Sequence, residues 1–258
     1  MGYTTLQFAI DGDVGTITLA RPEKRNAISP EMIGDLMSVL DEAEKSTARA
    51  VILTGAGSAF CAGMDLEALR NLSAQTQEEH ARDAARMGWM FHRVYSFPKP
   101  LIAAVNGPAI AGGTGLATLA DFTLAVPEAK FGYTEARIGF LPAVVSVFLL
   151  RQVGEKITRE LLLTGKIFDA AEAQRLGLVT EIVGTDKLMD RARELAKELA
   201  DDQATDSAME RKRNSARSGN RDSRERGDPA DGGFSRGAFG VFGEACAEVA
   251  ERQLIADS

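Results

Sequence analysis

The sequence predicts an α/β domain of repeated β-β-α units followed by a helical region. Short, continuously apolar runs at Ala50–Thr54 and Leu101–Val105 read as strands covered on both faces. Amphipathic helical periods alternate with them, and two glycine-bearing turns, 59–66 and 106–116, lead from strand into helix. At 258 residues, the chain suffices for one large domain or a domain with a helical appendage.

In chain order, Leu6–Ile10, the Asp11-Gly12-Asp13 turn and Gly15–Leu19 read as a β-hairpin. A loop over 21–27 follows. Ser29-Pro30 supplies an N-cap and a first-turn proline. Met32, Ile33, Leu36, Met37, Leu40 and Ala43 then recur at helical spacing. Glu78–Ser96 reads as a polar-faced helix stopped by Phe97-Pro98-Lys99-Pro100, and Asp121–Val126 as a strand. Helices are expected at Val144–Arg151, Gly154–Leu163 and Asp169–Leu176. The strand Leu178–Val183 and the amphipathic helix Asp186–Ala200 complete the pattern.

Composition excludes several classes. The chain is 45% hydrophobic and 26% charged, an ordinary soluble balance, and no apolar run reaches the ~18 residues of a membrane span. The first residues lack the basic and apolar regions of a signal peptide. Two distant cysteines, Cys61 and Cys246, give no disulfide framework and fit a reducing cytoplasm. A net charge of −7 gives no global reason to bind nucleic acid. His80 and His92 are too few for a His-rich metal site and read as surface or packing residues. Cys61 reads as a small buried filler.

Leu101–Leu116, LIAAVNGPAIAGGTGL, holds no nucleophile, acid or metal ligand. Its glycine turn can instead present bare backbone N–H groups to a developing oxyanion. A G-x-G-x-x-G nucleotide fingerprint fails, because no third glycine follows Gly55-Ala56-Gly57 at the required spacing. Pairing the two turns makes more chemical sense: if the N–H groups of Met64 and Gly112 converge, they form a two-donor oxyanion hole. Glu135, in Phe131-Gly132-Tyr133-Thr134-Glu135 and ahead of Ile138-Gly139-Phe140-Leu141-Pro142, is the accompanying proton-transfer group. An apolar setting would raise its pKa toward neutrality.

Arg21-Pro22…Asn26-Ala27, TGAGSAFCAGMDL, KPLIAAVNGPAIAGGTGLA, FGYTEARIGFLP and LLLTGKIFDAAEAQRLGLV together resemble the enoyl-CoA hydratase/isomerase (crotonase) family over residues 1 to about 200. The resemblance implies a crotonase (ClpP/crotonase-like) spiral of β-β-α units, a trimer or dimer of trimers, and an acyl-CoA thioester substrate. It implies no separate cofactor, coenzyme A being part of the substrate, and no metal. It places oxyanion donors at the Met64 and Gly112 N–H groups and an acid/base carboxylate at Glu135. It also places substrate and coenzyme A contacts along Arg25, Ala27, Ala62, Met64, Asp65 and Leu66, and at Gly112 and Gly115.

One departure stands out. Hydratases of the family usually carry a second glutamate, which aligns with Gly115. Asp65 and Asp121 are the nearest substitutes in sequence, and each is expected to hold its own loop. A single carboxylate suffices for a Δ3-Δ2 enoyl-CoA isomerase, whereas hydration is the commonest family activity. The segment GYTEARIGFLPAVVSVFLLR also resembles methylglutaconyl-CoA hydratase-like proteins, which keeps hydration of a branched 2-enoyl-CoA in view.

After Ala200 the text changes, dividing the chain into an acyl-CoA-binding domain over 1–200 and an aberrant tail over 201–258. An arginine-rich stretch around Arg211–Arg226 permits a rival of another class, a non-catalytic or RNA-binding protein. A solvated linker is the plain alternative. A shifted reading frame accounts for more of the tail. Joining the last two bases of each codon to the first of the next, Gly232–Glu244 can be re-read as E-D-F-R-E-G-L-S-A-F-L-E. Glu244–Gln253 then allows K-R-A-P-K-W-P-S-G-N, and Leu254-Ile255 allows a stop. The string resembles the family's usual C-terminus, so residues from about 201 onward are expected to be a frameshift product, the slip lying between about Ala200 and Ala204. Sequencing the coding DNA should reveal the F-L-E-K-R codons and the stop in the shifted frame; their absence would refute the frameshift.

Overall fold

A computed structural model of the chain describes residues 2–72, 75–140 and 143–201. The suspected frameshift segment beyond Asp201, like Leu141 and Pro142, therefore lies outside the described residues.

The N-terminal hairpin starts the main sheet. Strands β1 (Leu6–Asp11) and β2 (Val14–Leu19) pair antiparallel, with Gly12 at φ 58° making the turn. From β2 onward the sheet is parallel: β3 (Ala50–Gly55), β4 (Leu101–Val105), β6 (Phe122–Ala125) and β9 (Glu181–Ile182) follow in the order β1-β2-β3-β4-β6-β9. Every residue of β3 and β4 is buried, as their unbroken apolar text requires. A second, three-stranded sheet joins β5 (Ala109–Ile110), β7 (Lys130–Gly132) and β8 (Phe168–Asp169).

Helices fill the crossovers. In α1 (Pro30–Lys45) the Ser29 hydroxyl accepts the Met32 N–H, Pro30 opens the helix, and Met32, Ile33, Leu36, Val39, Leu40 and Ala43 are buried. Met37, assigned to that face by its spacing, is only partly buried, and Val39 takes its place in the core. The short α2 is Leu66–Leu72, and α3 (Gln77–Tyr95) begins with a capping box in which Thr76 and Glu79 satisfy each other's backbone N–H. After α4 (Gly112–Thr118), the two helices expected around 144–163 both occur within α5 (Ala143–Thr164), separated where Gly154 takes the non-helical φ 77°, ψ 170°. Asp169 caps α6 (Ala170–Arg175). The strand expected over 178–183 is only two residues long, because pairing with β6 lasts just from Glu181 to Ile182. Helix α7 (Leu188–Asp201) lays Leu188, Ala192, Ala196 and Ala200 over β2, β3, β4 and β6. No helix among the described residues is long and apolar enough to cross a membrane.

The loop after β2 is locked by one buried residue. Asn26 has φ 55°, a conformation that asparagine tolerates better than most side chains. Its Oδ1 accepts the Arg21 N–H at 2.9 Å, and its Nδ2 donates to the carbonyls of Ala56 (2.9 Å) and Ala59 (2.8 Å). The loop is thereby tied to the turn after β3. Asn26→Ala leaves those buried groups without partners and is expected to destabilise the fold by about 2–4 kcal/mol, read from denaturant unfolding.

Candidate active site

The two glycine turns meet. A Cβ on Gly113 would overlap the Cys61 carbonyl, and one on Gly63 would stand 2.8 Å from the Ile110 carbonyl and 3.6 Å from the Gly112 nitrogen. Backbone bonds stitch the turns: Ile110 N–H donates to Cys61 O at 2.9 Å, and Cys61 N–H to Pro108 O at 3.2 Å. Cys61 is buried at this seam, where desolvation pushes its thiol up to about 12, so it remains a protonated packing group.

The peptide geometry leaves two amides over. Ile28 donates to Gly63 O (2.7 Å) and accepts from Asp65 N (2.9 Å), a parallel bridge centred on Met64. Met64's own N–H therefore faces the other edge, and no described group accepts it. Gly112 begins α4, so its N–H has no intrahelical acceptor, and none is supplied by the described residues. Ahead of it, Ala111 is held at φ 51°, ψ −123°, a strained conformation for alanine, while its N–H donates to Gly132 O at 2.7 Å.

That bond also brings in β7. The Thr114 hydroxyl, fully buried on α4, accepts from Gly132 N at 3.0 Å and donates to Ala109 O at 2.7 Å. Three residues after Gly132, Glu135 lies in a short 3-10 turn, Thr134–Ile138, closed by Phe140 N–H to Glu135 O at 3.0 Å. Its Oε2 is sealed from solvent without a hydrogen-bond partner among the described residues. Burial raises its pKa above the ordinary carboxylate value, opposed by a backbone hydrogen bond. Ile138 and Phe140, which the sequence offers as its apolar cover, are both exposed. The neighbour that senses the Glu135 charge is Tyr133, fully buried with its hydroxyl 3.0 Å from Thr118 Oγ1, and burial raises that phenol's pKa.

The remaining sequence candidates lie along one ladder. Ala62 N–H donates to Arg25 O at 3.0 Å, alongside the Ile28 bridge, so Arg25, Ala27, Ala62, Met64 and Asp65 run side by side. Arg25 is exposed, and Leu66 is 70% exposed. The two substitute carboxylates are structural. Asp65 accepts the Glu67 N–H and pairs with Arg21 at 2.9 Å, and these contacts hold its pKa low. Asp121 accepts the Leu101 N–H at 2.9 Å. No cluster able to hold a metal occurs among the described residues. His92 is half-buried beside the Trp89 ring, where burial lowers its pKa.

Sequence reasoning missed what fills the space at Gly115. A Cβ there would stand 2.8 Å from Val145 Cγ1 and 3.0 Å from the Phe91 ring. Phe91 also lies 3.5 Å from the Cβ position of Gly112, on the same face of α4. Neither α3 nor α5 carries a local signal of that contact.

A family model described as enoyl-CoA hydratase/isomerase matches residues 9–227. A Thermus thermophilus protein named as an enoyl-CoA hydratase is 48% identical over 185 residues, 71% of this chain and 73% of that protein. The hydroxycinnamoyl-CoA hydratase-lyase of Pseudomonas fluorescens is 36% identical over 199 residues, 75% of this chain and 71% of that one. Among solved structures, an enoyl-CoA hydratase/isomerase from Xanthobacter autotrophicus Py2 superposes with a TM-score of 0.77 at 33% identity, covering 84% of this chain and 80% of its own.

The raised pKa of Glu135 has a consequence for stability. The folded protein holds this proton more tightly than the unfolded chain does. The stability this contributes is full below the unfolded value of 4.5 and is lost as pH rises through the higher folded value. Glu135→Gln is therefore expected to be more stable than the parent at about pH 7, with the difference vanishing near pH 4, as measured by denaturant unfolding at both.

Proposed function

Since the chain belongs to the enoyl-CoA hydratase/isomerase family, we propose that it adds water to a 2-enoyl thioester of coenzyme A, with Glu135 as its single acid/base. The observation that carries this reading is the Oε2 of Glu135, sealed from solvent and without a partner among the described residues, three residues beyond the strand that anchors Ala111 and Thr114. A carboxyl with a raised pKa and one oxygen sealed from solvent without a partner among the described residues is poised to exchange a proton with a substrate.

In the proposed reaction Glu135 takes a proton from water as the water oxygen bonds to C3. The C2–C3 π electrons move to the thioester, giving an enolate whose oxygen accepts from the Met64 and Gly112 N–H groups. Each such donor contributes ~3 kcal/mol to the transition state. C2 then takes the proton back from Glu135. Atoms and charge balance with one carboxylate. The ladder from Arg25 to Asp65, ending in exposed Leu66, offers the coenzyme A portion a surface beside Met64. The names of the relatives at 48% and 36% identity support hydration as the leading activity. Assembly as a trimer or hexamer and a cytoplasmic location belong to the same proposal.

A second reading has its own observation. Phe91 and Val145 occupy the space at Gly115, so the site has an apolar surface where another carboxylate would stand. Δ3-Δ2 isomerisation needs only Glu135: it removes a C2 proton from a 3-enoyl thioester and returns it to C4 through the same enolate. Glu135→Gln is expected to lower kcat by at least ~100-fold for whichever reaction the site performs, with KM little changed. Parallel assays of 2-enoyl-CoA hydration and 3-enoyl-CoA isomerisation check this. Isomerisation faster than hydration would reverse their order, and full activity in the Gln variant would remove Glu135 from the mechanism.

A further inference from the structure

We propose that Thr114 is a positioning residue, whose buried hydroxyl ties the first turn of α4 to the strand that leads to Glu135 and so holds that carboxyl in register with the Gly112 amide. This deepens the acyl-CoA reading above and rests on it.

The start of α4 has few means of fixing itself. Gly112 and Gly113 contribute no side chains, and Ala111 supplies no side-chain cap. Thr114 is the first residue of the helix with a hydrogen-bonding side chain, and it is fully buried. A hydroxyl has one proton to give and two lone pairs to offer. Here it donates to Ala109 O in β5 at 2.7 Å and accepts the Gly132 N–H of β7 at 3.0 Å. One oxygen thus joins the helix to both strands. Gly132 O in turn accepts the Ala111 N–H at 2.7 Å. Both polar main-chain groups of Gly132 are therefore engaged by the two residues that flank the Gly112-Gly113 pair.

A second rung lies one helical turn on. Thr118 is four residues after Thr114, on the same face of α4. Its hydroxyl donates to Thr114 O at 2.9 Å and lies 3.0 Å from the Tyr133 hydroxyl. Its only proton is committed to the carbonyl, so Tyr133 is the donor in that pair. Consecutive residues, Gly132 and Tyr133, are thereby fastened to Thr114 and Thr118, and Glu135 follows two positions later in the 3-10 turn.

Without the Thr114 hydroxyl the turn can relax. Ala111 is strained at φ 51°, and the two glycines after it accept many backbone conformations. A misplacement of about 1 Å between reacting groups can cost on the order of 100-fold in rate.

The test uses the full chain and compares the parent with Thr114→Val, which removes only the hydroxyl, Thr114→Ser, which keeps it, and Tyr133→Phe, which breaks only the second rung. Each is also made in the Glu135→Gln background. Steady-state kcat and KM are measured with 2-hexenoyl-CoA and 3-hexenoyl-CoA, below the lowest thermal midpoint. Thr114→Val is expected to lower kcat at least about tenfold with KM within about twofold, and Thr114→Ser to recover most of that loss. Combined with Glu135→Gln, the same Val substitution should cost less than about threefold, because the group it positions is gone. A merely structural hydroxyl would lower the thermal midpoint and leave kcat of the folded protein unmoved. Parental kcat in Thr114→Val, or equal losses in the two backgrounds, overturns the inference alone. Should Thr114→Val not fold, Tyr133→Phe decides by the same criterion, with an expected loss of at least about threefold that disappears beside Glu135→Gln. Undiminished kcat in Glu135→Gln, or no turnover of either thioester by the parent, overturns the reading above and this inference with it.

Discussion

The site depends on backbone contact at the seam between two glycine turns. Gly113 sits against the Cys61 carbonyl so closely that no side chain fits, and Gly63 approaches the Ile110 carbonyl and the Gly112 nitrogen in the same way. Such proximity would normally leave polar main-chain groups competing for partners. Here the ladder bonds from Ile28, Cys61 and Ile110 satisfy most of them and leave the amides of Met64 and Gly112 without acceptors among the described residues. Both residues are only partly buried, which leaves these amides open to an incoming acceptor. The strained Ala111 backbone belongs to the same arrangement, since it turns the chain from β5 into α4 within one residue.

Electrostatics divides the nearby carboxylates into two kinds. Asp65 and Asp121 are committed to backbone amides, and Asp65 also to the Arg21 guanidinium; they fix loops. Glu135 is the contrasting case, its Oε2 sealed from solvent without a partner among the described residues. Its pKa shift is upward because desolvation outweighs the single backbone hydrogen bond that favours the charged form. Environment, not residue type, separates Glu135 from the structural acids.

Much of the fold is legible in the sequence, because local rules govern it. The unbroken apolar strands, the Ser29-Pro30 start of α1 and the glycine break at Gly154 all rest on neighbours within a few positions. The candidate site is legible only in part. Glu135 and the two turns can be picked out as residue types, but the cover expected for Glu135 from Ile138 and Phe140 is absent, because a 3-10 turn swings both side chains outward. Asn26 reads as an ordinary loop residue, yet its buried side chain closes its own loop onto Arg21 and joins it to the turn after β3 through two further hydrogen bonds. Phe91 and Val145 belong to helices that look amphipathic for packing alone. Their meeting at Gly115 is a product of how α3, α4 and α5 converge, which no local pattern encodes.

The tight volume at Gly115 also bears on how this protein can change over generations. A larger side chain at that position meets Val145 and Phe91 at once, so a single substitution there overpacks the core before it alters any chemistry. Shrinking Val145 or Phe91 first leaves a cavity, which is destabilising in its own right. The three positions are therefore epistatic, and the effect of each depends on the residues at the other two. A lineage carrying this combination is separated from one with a side chain at position 115 by a valley of less stable intermediates. Selection on stability alone would thus tend to preserve the glycine, independently of the reaction the site performs.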